Sequence, residues 1–290
     1  MTPRRAACFD ARARRTATSS SRAASTSESP VSIRLTILGK SPSWQDRDGA
    51  CSGYLVEVAG MALLIDCGSG VFAKLRAHHD YSQVDAVIVT HLHADHTLDL
   101  VPFAYALTVG PVLRDDRPVL HAPPGARAAW RRLCGAWVSE TLIEDAFELR
   151  EYDPAAELEL DRVRVRFQPV PHYVPTNALE LRAQGEQGRL VFSSDCGPNE
   201  ELVDFASGAE LLLIEATRLG EPLRDDEDPD EPPGHLTAAD AGEIGRRAAV
   251  GRLVLTHYSD QLDPEHVRAQ AQAVFGRPVE LAREGERYEI

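Results

Sequence analysis

Between His91 and His96 the chain places three imidazoles and one carboxylate: His91, His93, Asp95 and His96. Imidazole nitrogen together with carboxylate oxygen suits Zn²⁺, and less exclusively Mn²⁺ or Fe²⁺. The cluster follows an apolar, β-branched run from Val84 to Val89, which reads as a buried strand. A loop leaving such a strand is held by rigid structure and open to solvent, a usual place for chemistry. A polar loop that is merely rich in histidine is the plain alternative. It does not account for four ligating side chains closing one hydrophobic strand.

The surrounding elements must position this loop. Ser32 to Leu38 alternates as a first strand. Tyr54 to Val58 and Met61 to Ile65 form a hairpin turning at Ala59-Gly60. Asp66-Cys67-Gly68-Ser69-Gly70 then turns into a helix beginning near Val71. Helices are expected over Leu98 to Val109, Ala126 to Trp137, Thr237 to Ala249 and Pro264 to Phe275. Further strands are expected over Val119 to His121, Val163 to Val170, Asn177 to Arg182, Arg189 to Ser193, Glu210 to Ile214 and Arg252 to Thr256. Two short strands follow the last helix. Glu221 to Pro233 holds seven acids, one Arg and four Pro, and reads as a solvated loop.

His-x-His-x-Asp-His after a strand resembles the metallo-β-lactamase superfamily. Further matches follow in order: Asp66-Cys67-Gly68, Pro171-His172, Ser193-Ser194-Asp195-Cys196 (usually Ser-Gly-Asp-Thr) and His257. Within the superfamily the chain is similar to the short ribonuclease Z (tRNase Z) branch. The resemblance implies an α/β fold, a pseudo-duplicated four-layer αββα sandwich, and the element order fits it. It also implies a two-metal site, with His91, His93 and His172 on one ion, Asp95, His96 and His257 on the other, and Asp195 bridging. Asp66 would support the loop from behind; an Asx turn or helix cap is its other reading. Two divalent ions about 3.5–4 Å apart can lower the pKa of a shared water towards about 7 and clamp both reacting oxygens of a phosphodiester. Zn²⁺ is the expected ion, with Mn²⁺ or Fe²⁺ as alternatives. His rather than Glu at the second position points towards zinc hydrolases, and Asp rather than Cys at the bridge points away from the antibiotic-degrading branch.

Ile214-Glu215-Ala216-Thr217 resembles the branch's His-Glu-Ala-Thr motif, with Ile in place of the His. Gly234-His235-Leu236-Thr237 resembles its Gly-His-Ser-Thr helix entry. By that resemblance His235 protonates the leaving oxygen and Glu215 orients it, so the catalytic set is Asp95, His235 and Glu215. As structural residues, His235 would be a helix-entry residue and Glu215 a salt-bridged strand end. The branch also carries a long, basic tRNA-clamping arm between its third and fourth metal motifs. Here His172 and Asp195 are 23 positions apart, which leaves no room for one. His78, His79, His121 and His266 match no motif and are taken as surface or helix residues.

Composition narrows the classes. Hydrophobic content of 43% and charged content of 26% are ordinary for a globular protein. No apolar run approaches the ~18 residues of a membrane helix. Five cysteines with no Cys-x-x-Cys pair argue for reduced thiols and a cytoplasmic setting. Residues 1–30 carry six Arg against Asp10 and Glu28, a net +4, which leaves −18 of the total −14 on residues 31–290. The first segment reads as a disordered tail, an organellar transit peptide or an upstream mis-start, with Val31 a fitting initiator. Residues 31–290 are the expected hydrolase domain. An acidic body lacks the basic footprint of a nucleic-acid binder, so DNA is not expected and a long RNA is disfavoured.

Three functions remain. The first is a phosphodiesterase acting on RNA 3′ ends or on a small or cyclic phosphodiester. The second is a hydrolase of a lactone, thioester or other carbonyl compound. The third is a non-catalytic metal-bound interaction protein. Expected partners are the substrate and no membrane, with a homodimer left open.

Overall fold

The computed structural model describes residues 33–112, 114, 116–185, 188–218 and 233–290. The tail over residues 1–30 and the acidic loop up to residue 232 lie outside them.

Two seven-stranded sheets face each other. The first contains β1 (Arg34–Gly39), β2 (Gly53–Val58), β3 (Met61–Ile65), β4 (Ala86–Ile88), β5 (Val119–Ala122), β6 (Glu148–Glu151) and the final strand β14 (Arg287–Glu289), in the order β14-β1-β2-β3-β4-β5-β6. The second contains β7 (Leu158–Leu160), β8 (Val163–Val170), β9 (Thr176–Ala183), β10 (Arg189–Phe192), β11 (Leu211–Glu215), β12 (Arg252–Thr256) and β13 (Glu280–Leu281), in the order β13-β12-β11-β10-β9-β8-β7. β3 to β6 are parallel, as are β10 to β13. Parallel strands are buried on both faces, which is why Leu211 to Ile214 is continuously apolar rather than alternating.

The inner faces share one core. Leu35, Ile37, Val56, Leu63 and Ile88 from the first sheet meet Val165, Leu179, Leu190, Leu213 and Val254 from the second. Tyr54 crosses it, its hydroxyl 2.8 Å from Thr256 Oγ1 and its ring edge-on to Phe192. The first sheet's outer face is covered by α1 (Val71–His78), α3 (Leu100–Thr108), α4 (Ala126–Gly135) and α5 (Leu142–Ala146), which pack around Leu75, Phe103, Trp130 and Phe147. On the second, α6 (Glu200–Ala206), α7 (Ala238–Arg247) and α8 (Pro264–Phe275) pack around Leu202, Ile244 and Phe275. The layering is therefore helices, sheet, sheet, helices: the αββα sandwich expected.

Several boundaries differ from the sequence reading. The helix expected from Leu98 runs as α3 from Leu100, and ahead of it a separate single turn, α2 (Ala94–Thr97), forms inside the metal-type motif. Three hydrogen bonds cause this: Cys67 N–H donates to the His96 carbonyl, Asp99 N–H to the Cys67 carbonyl, and Phe72 N–H to the Asp99 carboxylate. α5, α6, β6 and β7 were not anticipated; each is seven residues or fewer, too short for a period to show. His121 is neither on the surface nor in a helix, as it lies in β5 and is only 2% exposed.

Candidate metal centre and acid pair

The parallel strands of both sheets end at one rim, and the candidate side chains stand there. Asp66 follows β3, His91 to His96 follow β4, His172 follows β8, Asp195 follows β10 and His257 follows β12, while Glu215 ends β11. Three of the turns involved hold a non-glycine residue with positive φ: Asp66 at 56°, Ser194 at 53° and His257 at 54°. Such backbone is costly for residues with a Cβ and persists where surrounding structure fixes it, often at functional sites.

Two adjoining groups form. In the first, His93 Nδ1 lies 3.2 Å from His91 Nε2 and 3.1 Å from His172 Nε2. In the second, His257 Nε2 is 3.2 Å from Asp95 Oδ2, and His96 Nε2 is 3.6 Å from the same oxygen. Asp195 stands between them. Its Oδ1 is 3.3 Å from His96 Nε2, and its Oδ2 is 3.4 Å from His257 Nε2, 3.9 Å from His91 Nε2 and 4.0 Å from His172 Nε2.

These residues fit divalent cations. Ligands about 2.0–2.1 Å from a tetrahedral zinc stand roughly 3.3 Å apart, close to the spacings within each group. Six buried side-chain polar atoms among the described residues lack a hydrogen-bond partner, and two of them, His96 Nε2 and Asp195 Oδ1, face each other here. A cation between them would satisfy both. Burial pushes His91 well below the ordinary histidine range, and His93 and His172 also shift down by burial; this favours the neutral imidazole a metal requires. Burial also opposes charge on His96, yet Asp195 and Asp66 outweigh it and draw its pKa well up. Burial pushes Asp195 up in turn, but His257 and His96 hold it well below the carboxylate range. The site attracts positive charge.

Three of the imidazoles, those of His96, His172 and His257, are steered by their other nitrogen. His96 Nδ1 donates to Asp66 Oδ2 at 2.8 Å, and Asp66 also accepts from the Thr90 backbone N–H and hydroxyl at 2.8 and 2.9 Å. This is the supporting role expected of Asp66, and it needs no helix cap. His172 Nδ1 donates to the Gly234 carbonyl at 2.7 Å, and His257 Nδ1 to Thr217 Oγ1 at 2.7 Å. Sequence reasoning assigned nothing to Thr217, since its partner His257 lies 40 positions away.

Beside this cluster stands the second pair. His235 Nδ1 lies 2.9 Å from Glu215 Oε1. Glu215 is fully buried and also receives the Cys196 N–H at 2.7 Å, the Leu236 N–H at 3.2 Å, and the Thr217 N–H and hydroxyl at 3.3 and 2.6 Å. His235 stays 20% exposed at its side chain, its ring 4.8 Å from that of His172 and 5.8 Å from that of His257. Burial lowers the His235 pKa, but the charge and hydrogen bond of Glu215, with Asp195 and Asp95 nearby, overcome this and raise it to about 9. His235 thus opens the site's edge while α7 starts three residues later, at Ala238, on the capping box of Thr237 and Asp240. Helix entry and site contact are combined rather than alternatives.

A four-layer sandwich with a His/Asp cluster at its strand ends defines the metallo-hydrolases of the β-lactamase fold. The chain belongs to that superfamily: residues 62–258 match the beta-lactamase superfamily domain. It is 33% identical to an uncharacterized protein of Mycobacterium leprae, over 90% of this chain and 89% of that one. The crystal structure of the metallo-beta-lactamase fold protein YhfI of Bacillus subtilis superposes with a TM-score of 0.75 at 25% identity, covering 89% of this chain and 99% of that one. A ribonuclease Z of Mycobacterium bovis is 27% identical over 89% of this chain and 98% of its own.

Proposed function

We propose that this metallo-hydrolase is a phosphodiesterase with two divalent ions, zinc by preference, acting on a small or cyclic phosphodiester rather than on tRNA. The observation that carries this reading is the Glu215–His235 contact of 2.9 Å at the edge of the two-group cluster. His91, His93 and His172 would hold one ion, Asp95, His96 and His257 the other, with Asp195 shared. The ions would supply a water of lowered pKa and neutralise the phosphate. Glu215 fixes the His235 ring through Nδ1, which leaves Nε2 to carry the proton that the leaving oxygen needs. A buried acceptor filled by several donors cannot swing away, so the ring stays oriented. Alkoxide leaving groups of high pKa need that proton; the thiolate that leaves a thioester needs it less.

Substrate size follows from the chain between His172 and Asp195. β9 and β10 pair directly from Phe192 with Leu179 to Arg189 with Arg182, so this interval is spent on a sheet hairpin. An arm of the tRNA-clamping kind has no segment to form from, and the −18 charge of residues 31–290 would oppose a long polyanion. The 27% identity to a ribonuclease Z supports phosphodiester chemistry and leaves the size of the substrate to these features.

The test is His235→Ala. The variant should keep both metals, since His235 is not assigned to either, yet lose about 10²-fold or more in kcat on an alkyl or nucleoside phosphodiester. The loss should shrink on a p-nitrophenyl ester, whose leaving group needs little protonation. Glu215→Gln should be milder in the same direction. Full activity of His235→Ala on the poor leaving group would refute His235 as the general acid; no cleavage of any phosphodiester by the unaltered protein would defeat the phosphodiesterase reading and bring the carbonyl hydrolase forward.

A further inference from the structure

Nine large apolar side chains are left exposed among the described residues, and of these Tyr173 alone makes ring contact with the site's imidazoles. It is 62% exposed. Its ring centroid lies 5.0 Å from that of His172 and 5.7 Å from that of His235. The ring is also seated. A Cβ on Gly234 would stand 2.7–2.9 Å from three of its carbons, so the aromatic edge rests where only glycine leaves room. The carbonyl of the same Gly234 accepts from His172 Nδ1. Pro171 and Pro175 bracket the segment and restrict its backbone. A large, rigid, solvent-facing aromatic surface is therefore fixed at the mouth of the site.

We propose that Tyr173 is a stacking platform for a nucleobase, which makes the substrate a nucleotide diester. This rests on the phosphodiesterase reading and narrows it. Every base has a π face, so stacking selects nucleotides as a class over sugar or lipid phosphodiesters without choosing among bases. Preorganised by its prolines and Gly234, the ring loses little freedom on binding.

Binding of adenosine 5′- and 3′-monophosphate and of ribose 5-phosphate to the full-length, zinc-loaded protein, measured by equilibrium dialysis, tests this. At least one nucleotide should bind about fivefold or more tighter than ribose 5-phosphate, the low end of what base–aromatic stacking is worth. Tyr173→Ala should collapse that ratio towards one, while Tyr173→Phe and Tyr173→Trp should keep it. A ratio near one in the unaltered protein, or a ratio that persists in Tyr173→Ala, overturns the proposal. If phosphodiesters are still cleaved with the expected dependence on His235, only the base platform has failed. If no phosphodiester is cleaved, the broader reading has failed instead.

Discussion

Thr217 joins the two halves of the site through one hydroxyl. It accepts from His257 Nδ1 at 2.7 Å and donates to Glu215 Oε2 at 2.6 Å. One side chain thus orients both a residue assigned to a metal and the carboxylate that holds His235. Thr217→Val keeps the shape and removes both bonds. Metal affinity should fall about 10–100-fold, as found when outer partners of ligating histidines are removed. Competition with a fluorescent chelator would show it, and Thr217→Ser should behave as the parent. Unchanged affinity in Thr217→Val would mean that His257 is held by other means. Asp195 makes a sharper case, because its carboxylate faces both groups. Asp195→Ala should lose occupancy at both positions in metal analysis; loss at one alone would show that it does not bridge.

Among the elements, the turn after β3 underlies the motif loop. A Cβ on Gly68 would sit 1.8 Å from the Asp95 carbonyl oxygen, a backbone atom with nowhere to move. Gly68→Ala should therefore cost at least about 2 kcal/mol and loosen the metal loop, read as a lower Tm and weaker metal retention. An unchanged Tm would show that the loop can shift as a unit. Strand β5 supplies a different handle. Burial, and then the charge of Arg150, lower the His121 pKa to about 4, and its Nε2 has no hydrogen-bond partner among the described residues. The unfolded chain takes up this proton near the ordinary histidine value and the folded chain only near 4. Stability is thus complete above pH 6.5 and falls as pH drops from 6.5 towards 4. The loss is capped at about 3 kcal/mol. His121→Gln should flatten this part of the Tm–pH curve relative to the parent, in metal-free protein so that metal release does not intervene. Parallel curves would contradict the assignment.

For the whole molecule, both sheets contribute to the cluster: Asp66, His91, His93, Asp95 and His96 from the first, His172, Asp195, Glu215 and His257 from the second. Bound cations would tie the halves together. Removing metal with a chelator should lower Tm, since an ion at 100 times its Kd adds about 2.7 kcal/mol per site. Restoring zinc should recover Tm at about two ions per chain; recovery at one would contradict the two-ion assignment. Among the described residues no helix is long and apolar enough to cross a membrane. The four described cysteines, Cys51, Cys67, Cys134 and Cys196, are buried and free, so no disulfide among them shares the stabilisation.

The sequence by itself determined the layered α/β architecture, because apolar strands ending in polar motifs recur along it: Val84 to Val89 before His91, Val163 to Val170 before His172, Arg252 to Thr256 before His257. It also determined which residue types stand at those ends, since each motif is local. Boundaries within the motif were not legible. α2 forms in the loop after β4 because Cys67 and Asp99 bond across from another segment. Only the tertiary structure decided how the ends converge. The five donors on Glu215 come from Cys196, Thr217, His235 and Leu236, and the seat of Tyr173 comes from Gly234, 61 positions downstream. His121 likewise looked like a surface residue until the β4 and β6 neighbours of β5 enclosed it. Periodicity reports which face of an element is apolar; it carries no record of which distant backbone will arrive beside a given side chain. That depends on packing the two sheets, whose shared core is built from residues as far apart as Ile33 and Tyr288.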